Sequence, residues 1–238
     1  MTASRVATAL VTGASRGIGL AVARVLVDGG TRVVMLARSE ADLRGRAGEL
    51  GSLAFPIACD VTNASAVSDA LARASAELGG APQAVVNNAG AFTLAPVGAT
   101  HPDDFRHTVD VNLVAPFLIV RALLPEMRRR ASGHIVTIGS VSDRTIYPEN
   151  GAYSASKFGA RALHEVLRAE LRGTGVRATL VSPGPTDTPL WDAIDPDTRP
   201  GFTPRRAMLS AAAVADAVRY VLTRPADVNI DELRLSHS

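Results

Sequence analysis

Short runs of β-branched and apolar residues alternate along this chain with longer segments whose apolar positions recur every three or four residues. The short runs are VATALV at 6–11, RVVMLA at 32–37, LAFPIA at 53–58, AVVN at 84–87, HIVTIG at 134–139, VRATLVS at 176–182 and NIDELRL at 229–235. Near-continuous apolar runs of this length suit strands buried on both faces. The amphipathic segments, near 18–28, 40–50, 64–78, 112–130, 154–172 and 212–223, predict helices between those strands. Such alternation implies βαβ units, hence an α/β fold with a parallel sheet and helices on both faces. The longest irregular stretch, 183–210, holds Pro183, Pro185, Pro189, Pro196, Pro200 and Pro204, which argues against a continuous helix and makes 186–210 a candidate substrate lid.

Gly13, Gly17 and Gly19 stand between the first strand and the first helix. Missing side chains let the turn tighten and let the backbone approach a pyrophosphate, whose charge meets free N–H groups at the helix N-terminus. The rest of the composition narrows the possibilities. A chain of 238 residues, 47% hydrophobic, can bury one large core, so a single domain over 1–238 is expected. Its net charge of +2 is carried by scattered residues, so neither nucleic acid nor an anionic membrane is an expected partner. The RRR run at 128–130 ends a helical segment, where cations favour the helix dipole. His101, His107, His134, His164 and His237 show no metal-ligand spacing with Cys59, so no metal is expected. A lone cysteine forms no intrachain disulfide, and VATALV is too short for an export signal or membrane helix, so a cytoplasmic location is expected.

The glycines have the spacing Gly-x-x-x-Gly-x-Gly after Thr12, and further motifs follow in order: NNAG at 87–90, Asn112, Ser140, YSASK at 153–157 and PGPTDT at 183–188. Over essentially its whole length the chain resembles the short-chain dehydrogenase/reductase family. The resemblance implies a doubly wound Rossmann sheet of about seven strands and hydride transfer between a nicotinamide cofactor and a carbonyl or alcohol. It implies that Tyr153 exchanges a proton with the substrate oxygen, that Ser140 holds that oxygen and that Asn112 holds a water. Lys157 would tune Tyr153 and grip the cofactor ribose. The chemistry is sound on its own terms: residues four apart share a helix face, a phenol titrating near ~10 is a usable acid at neutral pH, and an ammonium stabilises the phenolate left behind.

Residue by residue, the resemblance assigns Gly13, Ser15, Arg16, Gly17, Ile18 and Gly19 to the phosphate loop, Asp60 and Val61 to the adenine, and Asn88, Ala89 and Gly90 to the adenine ribose. Asn87 is expected to brace the sheet. After the sixth strand, the Thr186 backbone and the Thr188 hydroxyl would hold the carboxamide, with Pro183 and Gly184 shaping the turn. Assembly as a homodimer or homotetramer through the helices near 112–130 and 154–172 is also implied.

The end of the second strand, MLARSE, selects the dinucleotide. NAD-preferring relatives place an acid where Ala37 stands, because a carboxylate accepts from the ribose 2′-hydroxyl and repels a 2′-phosphate. Here Arg38 and Ser39 follow, and Arg16 lies in the glycine loop, so two guanidiniums can meet a phosphate and NADP(H) is expected. Glu40 is a competing partner for Arg38. The substrate is expected to be a small-molecule carbonyl or alcohol, making the protein an NADPH-dependent carbonyl reductase; a 3-oxoacyl-thioester reductase and a non-catalytic NADP(H)-binding sensor are the alternatives. Leu190, Trp191, Ile194 and Phe202 either line a substrate pocket or pin the lid, and Arg144, Arg199, Arg205 and Arg206 are candidates to meet an acidic substrate, with surface solvation the favoured reading of each.

Overall fold

The computed structural model describes residues 6–238. Its strands are β1 (Thr8–Thr12), β2 (Arg32–Ala37), β3 (Ala54–Ala58), β4 (Ala84–Asn87), β5 (Gly133–Ile138), β6 (Val176–Pro183), β7 (Thr186–Asp187), β8 (Leu209–Ser210) and β9 (Glu232–Leu235). Its helices are α1 (Gly17–Asp28), α2 (Glu40–Leu50), α3 (Ala64–Leu78), α4 (Pro102–Val109), α5 (Ala115–Arg129), α6 (Gly151–Glu170) and α7 (Ala211–Leu222). A parallel 7-stranded sheet runs β3-β2-β1-β4-β5-β6-β9, the doubly wound Rossmann arrangement. The chain leaves β1 toward β2 and later returns to pair β4 on β1's other side. That reversal opens a crevice at the carboxyl ends of β1 and β4.

Successive strand residues point to opposite faces and build two cores. Ala9, Val11, Val33, Met35 and Val136 pack with residues of α1, α2 and α7. Leu10, Val34, Leu36, Val85 and Ile135 pack with α3, α5 and the end of α6. Helix entry is set locally: Ser39, Asn63 and Ser210 cap α2, α3 and α7, each accepting from a backbone N–H three residues on.

Several boundaries differ from the sequence expectation. The first strand covers 8–12 rather than 6–11, and the last covers 232–235 rather than 229–235. The helix carrying YSASK starts at Gly151 rather than 154. The helix expected from 112 is the second half of a longer one: α4 begins at Pro102 with His101 as its cap, and a π-helical turn, Asp110–Val114, joins it to α5. Nearly all of α4 faces solvent, and with eight mostly polar residues it is too short and too polar to announce itself as a helix. Ser140 lies beyond the end of β5 and starts a short 3₁₀ turn, Val141–Asp143. The proline-rich 183–210 segment is also less irregular than expected, because β7 and β8 pair in parallel and tie its two ends together.

By length and composition, Pro102–Arg129 is apolar enough to cross a membrane. In this fold Val111, Ala115, Ile119, Leu123 and Met127 are its buried face, and Asn112 bonds it to α6.

Candidate active site

The crevice continues into one groove that runs from α1 to the lid. Every catalytic and cofactor residue assigned from the sequence lines it except Gly19 and Asn112, which sit just behind its wall; of the four lid residues, Leu190 and Trp191 line it and Ile194 and Phe202 do not. Gly13 has φ of 64°, and a Cβ there would come within 2.9 Å of the Ala89 Cα. A Cβ on Gly19 would fall 2.3 Å from the Gly13 carbonyl oxygen, so only glycine lets α1 pack this close to the loop. The Thr12 hydroxyl accepts from the N–H groups of Asn88 (3.0 Å) and Ala89 (2.9 Å), and Asn88 Nδ2 donates to the Thr12 carbonyl at 2.9 Å. Asn88 therefore fastens β1 to β4 as well as lining the groove. The start of α1 has no side-chain cap and no acidic residue in its first turn, leaving N–H groups and a positive dipole end to face an anion.

At the other side of the loop, Ala37 closes β2 and Arg16 and Arg38 are exposed on the groove wall. Neither guanidinium has a carboxylate partner among the described residues, and Glu40 pairs with Arg44 at 2.6 Å rather than with Arg38. Asp42 also lines this end. Asp60 Oδ1 accepts from Thr62 N (3.0 Å) and Thr62 Oγ1 (2.8 Å), which holds its carboxyl below the usual range; the Arg38 charge adds to this.

Tyr153 and Lys157 lie on successive turns of α6, facing Ser140 across the groove. Burial pushes the Tyr153 phenol up, and its hydrogen bond with Ser140 opposes that shift. Burial pushes Lys157 down to about 8, opposed by the charge of Asp143. Lys157 Nζ donates to the Ile138 carbonyl at 3.0 Å and stands 5.5 Å from the Tyr153 ring centroid. Ser140 Oγ accepts from Ser142 N at 3.1 Å, which orients the serine. In the π turn, Asn112 Oδ1 accepts from Ala91 N (2.8 Å), and Nδ2 donates to Ala91 O (2.9 Å) and Ser156 Oγ (2.9 Å). Both amide hydrogens are thus spent on protein, and any water there meets only the oxygens of Asn112. Asn87 is buried, and neither of its amide atoms has a partner among the described residues.

Two features escaped the sequence reading. Asp143 is buried directly beneath the serine: its Oδ2 accepts from Ser182 Oγ at 2.7 Å and from Ser140 N at 3.5 Å, and its Oδ1 accepts from Arg144 Nε at 2.7 Å. Arg144 in turn reaches Glu232 on β9. The one sequence signal was the Ser-x-x-Asp spacing of a capping box, formed here by Ser140 and Asp143. Phe92 was the other omission, its ring edge-on to Tyr153 at 4.7 Å. Arg144, Arg199 and Arg205, expected as solvated cations, are all held in ion pairs.

A doubly wound sheet, a glycine loop at its switch point and a Ser-Tyr-Lys cluster across the groove together define a nucleotide-dependent oxidoreductase of short-chain type. Residues 7–199 match the short chain dehydrogenase family, and the chain belongs to it. An uncharacterized oxidoreductase of Staphylococcus epidermidis is 35% identical over 227 residues, covering 95% of both chains. Among solved structures, a metagenomic short-chain oxidoreductase in complex with NADP superposes with a TM-score of 0.83 at 32% identity, over 97% of this chain and 96% of that one. The closed form of a serine dehydrogenase complexed with NADP⁺ gives 0.87 at 32% identity, over 95% and 93%.

Proposed function

We propose that this protein is an NADPH-dependent carbonyl reductase, working in reverse as an alcohol dehydrogenase. The observation that carries the cofactor reading is the pair of guanidiniums, Arg16 and Arg38, without an ion-pair partner among the described residues, beside an uncharged Ala37. NADP-bound relatives support it. The groove suits a dinucleotide: the uncapped start of α1 and the Gly13–Gly19 contact shape a pyrophosphate cradle, Asp60 Oδ2 is open to an amino group, and Lys157 and the Thr186–Thr188 segment line the opposite end.

When bound, the nicotinamide supplies a hydride to the carbonyl carbon. Ser140 Oγ, oriented by Ser142 N, donates a hydrogen bond to the carbonyl oxygen, where negative charge develops. Tyr153 gives that oxygen its proton, and the Lys157 ammonium stabilises the phenolate. Asn112 clamps the Ala91 backbone to α6 through Ser156, which itself donates to the Tyr153 carbonyl at 2.7 Å. Residues 186–210 form the substrate lid of a single catalytic domain. The outer faces of α5 and α6 expose Phe117, Phe158 and Val166, and we place a homodimer or homotetramer contact there, in a cytoplasmic enzyme.

The test is the initial rate of NADPH and NADH oxidation against a panel of aldehydes, ketones and 3-oxoacyl thioesters. Turnover of a simple ketone or aldehyde with at least about tenfold higher efficiency for NADPH is the expected result. Cofactor binding without oxidation across the panel overturns the reading.

A further inference from the structure

The substrate end of the groove is apolar and aromatic. Phe92 packs edge-on against both Tyr153 (4.7 Å) and Trp191 (5.3 Å), and Trp191 packs against Phe202 (6.3 Å). Leu190 and Trp191 line the groove together with Tyr153 and Ser140. The indole N–H is already spent on the Thr186 carbonyl at 3.0 Å, so Trp191 offers a substrate its ring and no donor.

The arginines nearest this wall stand outside the groove's lining, and three of them are held in ion pairs. Arg199 stacks over the Phe202 ring at 5.1 Å and is paired with Glu149. Glu149 has a φ of 63°, a conformation non-glycine residues rarely adopt, and its ion pair links the segment before α6 to the lid. Arg205 is held by Asp187 and Asp192, both at 2.7 Å, and Arg144 lies between Asp143 and Glu232. Arg206 has no such partner among the described residues, and it is exposed. Lys157, the one cation lining this end of the groove among the described residues, is buried and donates to Ile138. A carboxylate beside the reacting carbonyl would lose its hydration and find no unpaired guanidinium in return.

We propose that the site selects uncharged carbonyl compounds bearing a flat apolar substituent, such as aryl ketones and aryl keto esters, and discriminates against keto acids and hydroxy acids. The inference rests on the reductase reading above. Trp191, backed by Phe92, receives the planar group, and the Glu149–Arg199 pair withholds the cation that an acid would need.

The experiment measures NADPH oxidation with methyl benzoylformate, benzoylformate and methyl pyruvate. The first two differ in one charge, the first and third in the ring. Methyl benzoylformate should exceed both others in kcat/KM by at least about tenfold. The two acyl groups differ in intrinsic reactivity, so variants isolate the protein's share. Glu149→Gln should narrow the ester-to-acid ratio several-fold by releasing Arg199. Trp191→Ala should raise KM for the aryl ester several-fold while leaving that for methyl pyruvate in place, and Trp191→Phe should restore most of it. If benzoylformate or methyl pyruvate is reduced as efficiently as the aryl ester, or if the two variants shift all three substrates equally, the substrate class is overturned and the reductase stands. If none of the three oxidises NADPH while an aldehyde or ketone of the wider panel does, the substrate class falls and the reductase stands; if no compound of either set does, both fall.

Discussion

On the proposed mechanism Lys157 has to stay charged in a buried position, and Asp143 is the group that helps it do so. Burial takes the ammonium down to about 8, and the Asp143 carboxylate works the other way. The Tyr153 phenol is pushed up by burial and by the same carboxylate, so it keeps its proton throughout the range in which Lys157 titrates. Reduction needs both groups protonated, so its kcat/KM should be level at lower pH and fall as pH rises through about 8. Asp143→Asn removes the charge that supports the ammonium, and the break in the profile should move to lower pH. A break that moves upward, or a profile flat to pH 10, contradicts this account. A second residue-scale expectation concerns the 2′-phosphate. Ala37→Asp combined with Arg38→Ala installs a carboxylate where a phosphate would lie and removes one of its guanidiniums, and the ratio of efficiencies with NADPH and NADH should invert. An unchanged ratio would remove Arg38 from the cofactor reading.

At the scale of elements, the glycine loop depends on an approach that no side chain permits. A Cβ on Gly19 would lie 2.3 Å from Gly13 O and 2.4 Å from Asn88 Nδ2. Gly19→Ala should therefore displace the loop from the end of β4 and weaken dinucleotide binding by about tenfold or more, as a titration of NADPH fluorescence would report, while the far-ultraviolet dichroism stays native. The helix-to-strand alternation was legible because buried parallel strands leave unbroken apolar runs: 32–37 and 84–87 match β2 and β4 to the residue. Helix α4 was not legible, because it is only eight residues long and mostly polar, so the spacing of its few apolar residues is not read as a helix; Pro102 and the His101 cap mark its start only once the fold is known. The groove residues at strand ends were readable from ordered motifs. Asp143 was not, since a lone acid in a turn looks solvent-exposed until β6 and β9 bring Ser182 and Glu232 around it and its arginine.

Across the whole molecule, two neutral histidines sit between β5, β6 and α6. His134 Nε2 shares a hydrogen bond with Thr179 Oγ1 at 2.8 Å, His164 Nδ1 is 3.3 Å from Thr137 Oγ1, and the remaining ring nitrogen of each has no partner among the described residues. Burial brings His134 down to about 3 and His164 to about 4. The unfolded chain takes up protons near pH 6.5 that the folded one refuses. Their contribution to stability is therefore complete above that pH and is lost as pH falls from 6.5 toward 4. Each should cost about 2 kcal/mol of folding free energy at pH 5 relative to pH 8. Urea unfolding should show a lower midpoint at pH 5, with a clearly smaller drop for His164→Gln; the same drop in parent and variant would exclude His164 as a cause. The central claim is that this fold brings a bound dinucleotide and a carbonyl together under one proton donor, and a single-turnover experiment on Tyr153→Phe tests it most directly. The rate of NADPH oxidation after mixing with methyl benzoylformate should fall by ~10²–10⁴, while the NADPH dissociation constant from the same titration stays within about twofold, since only a hydroxyl is removed. A variant that transfers hydride at more than half the parent's rate would show that Tyr153 is not the acid.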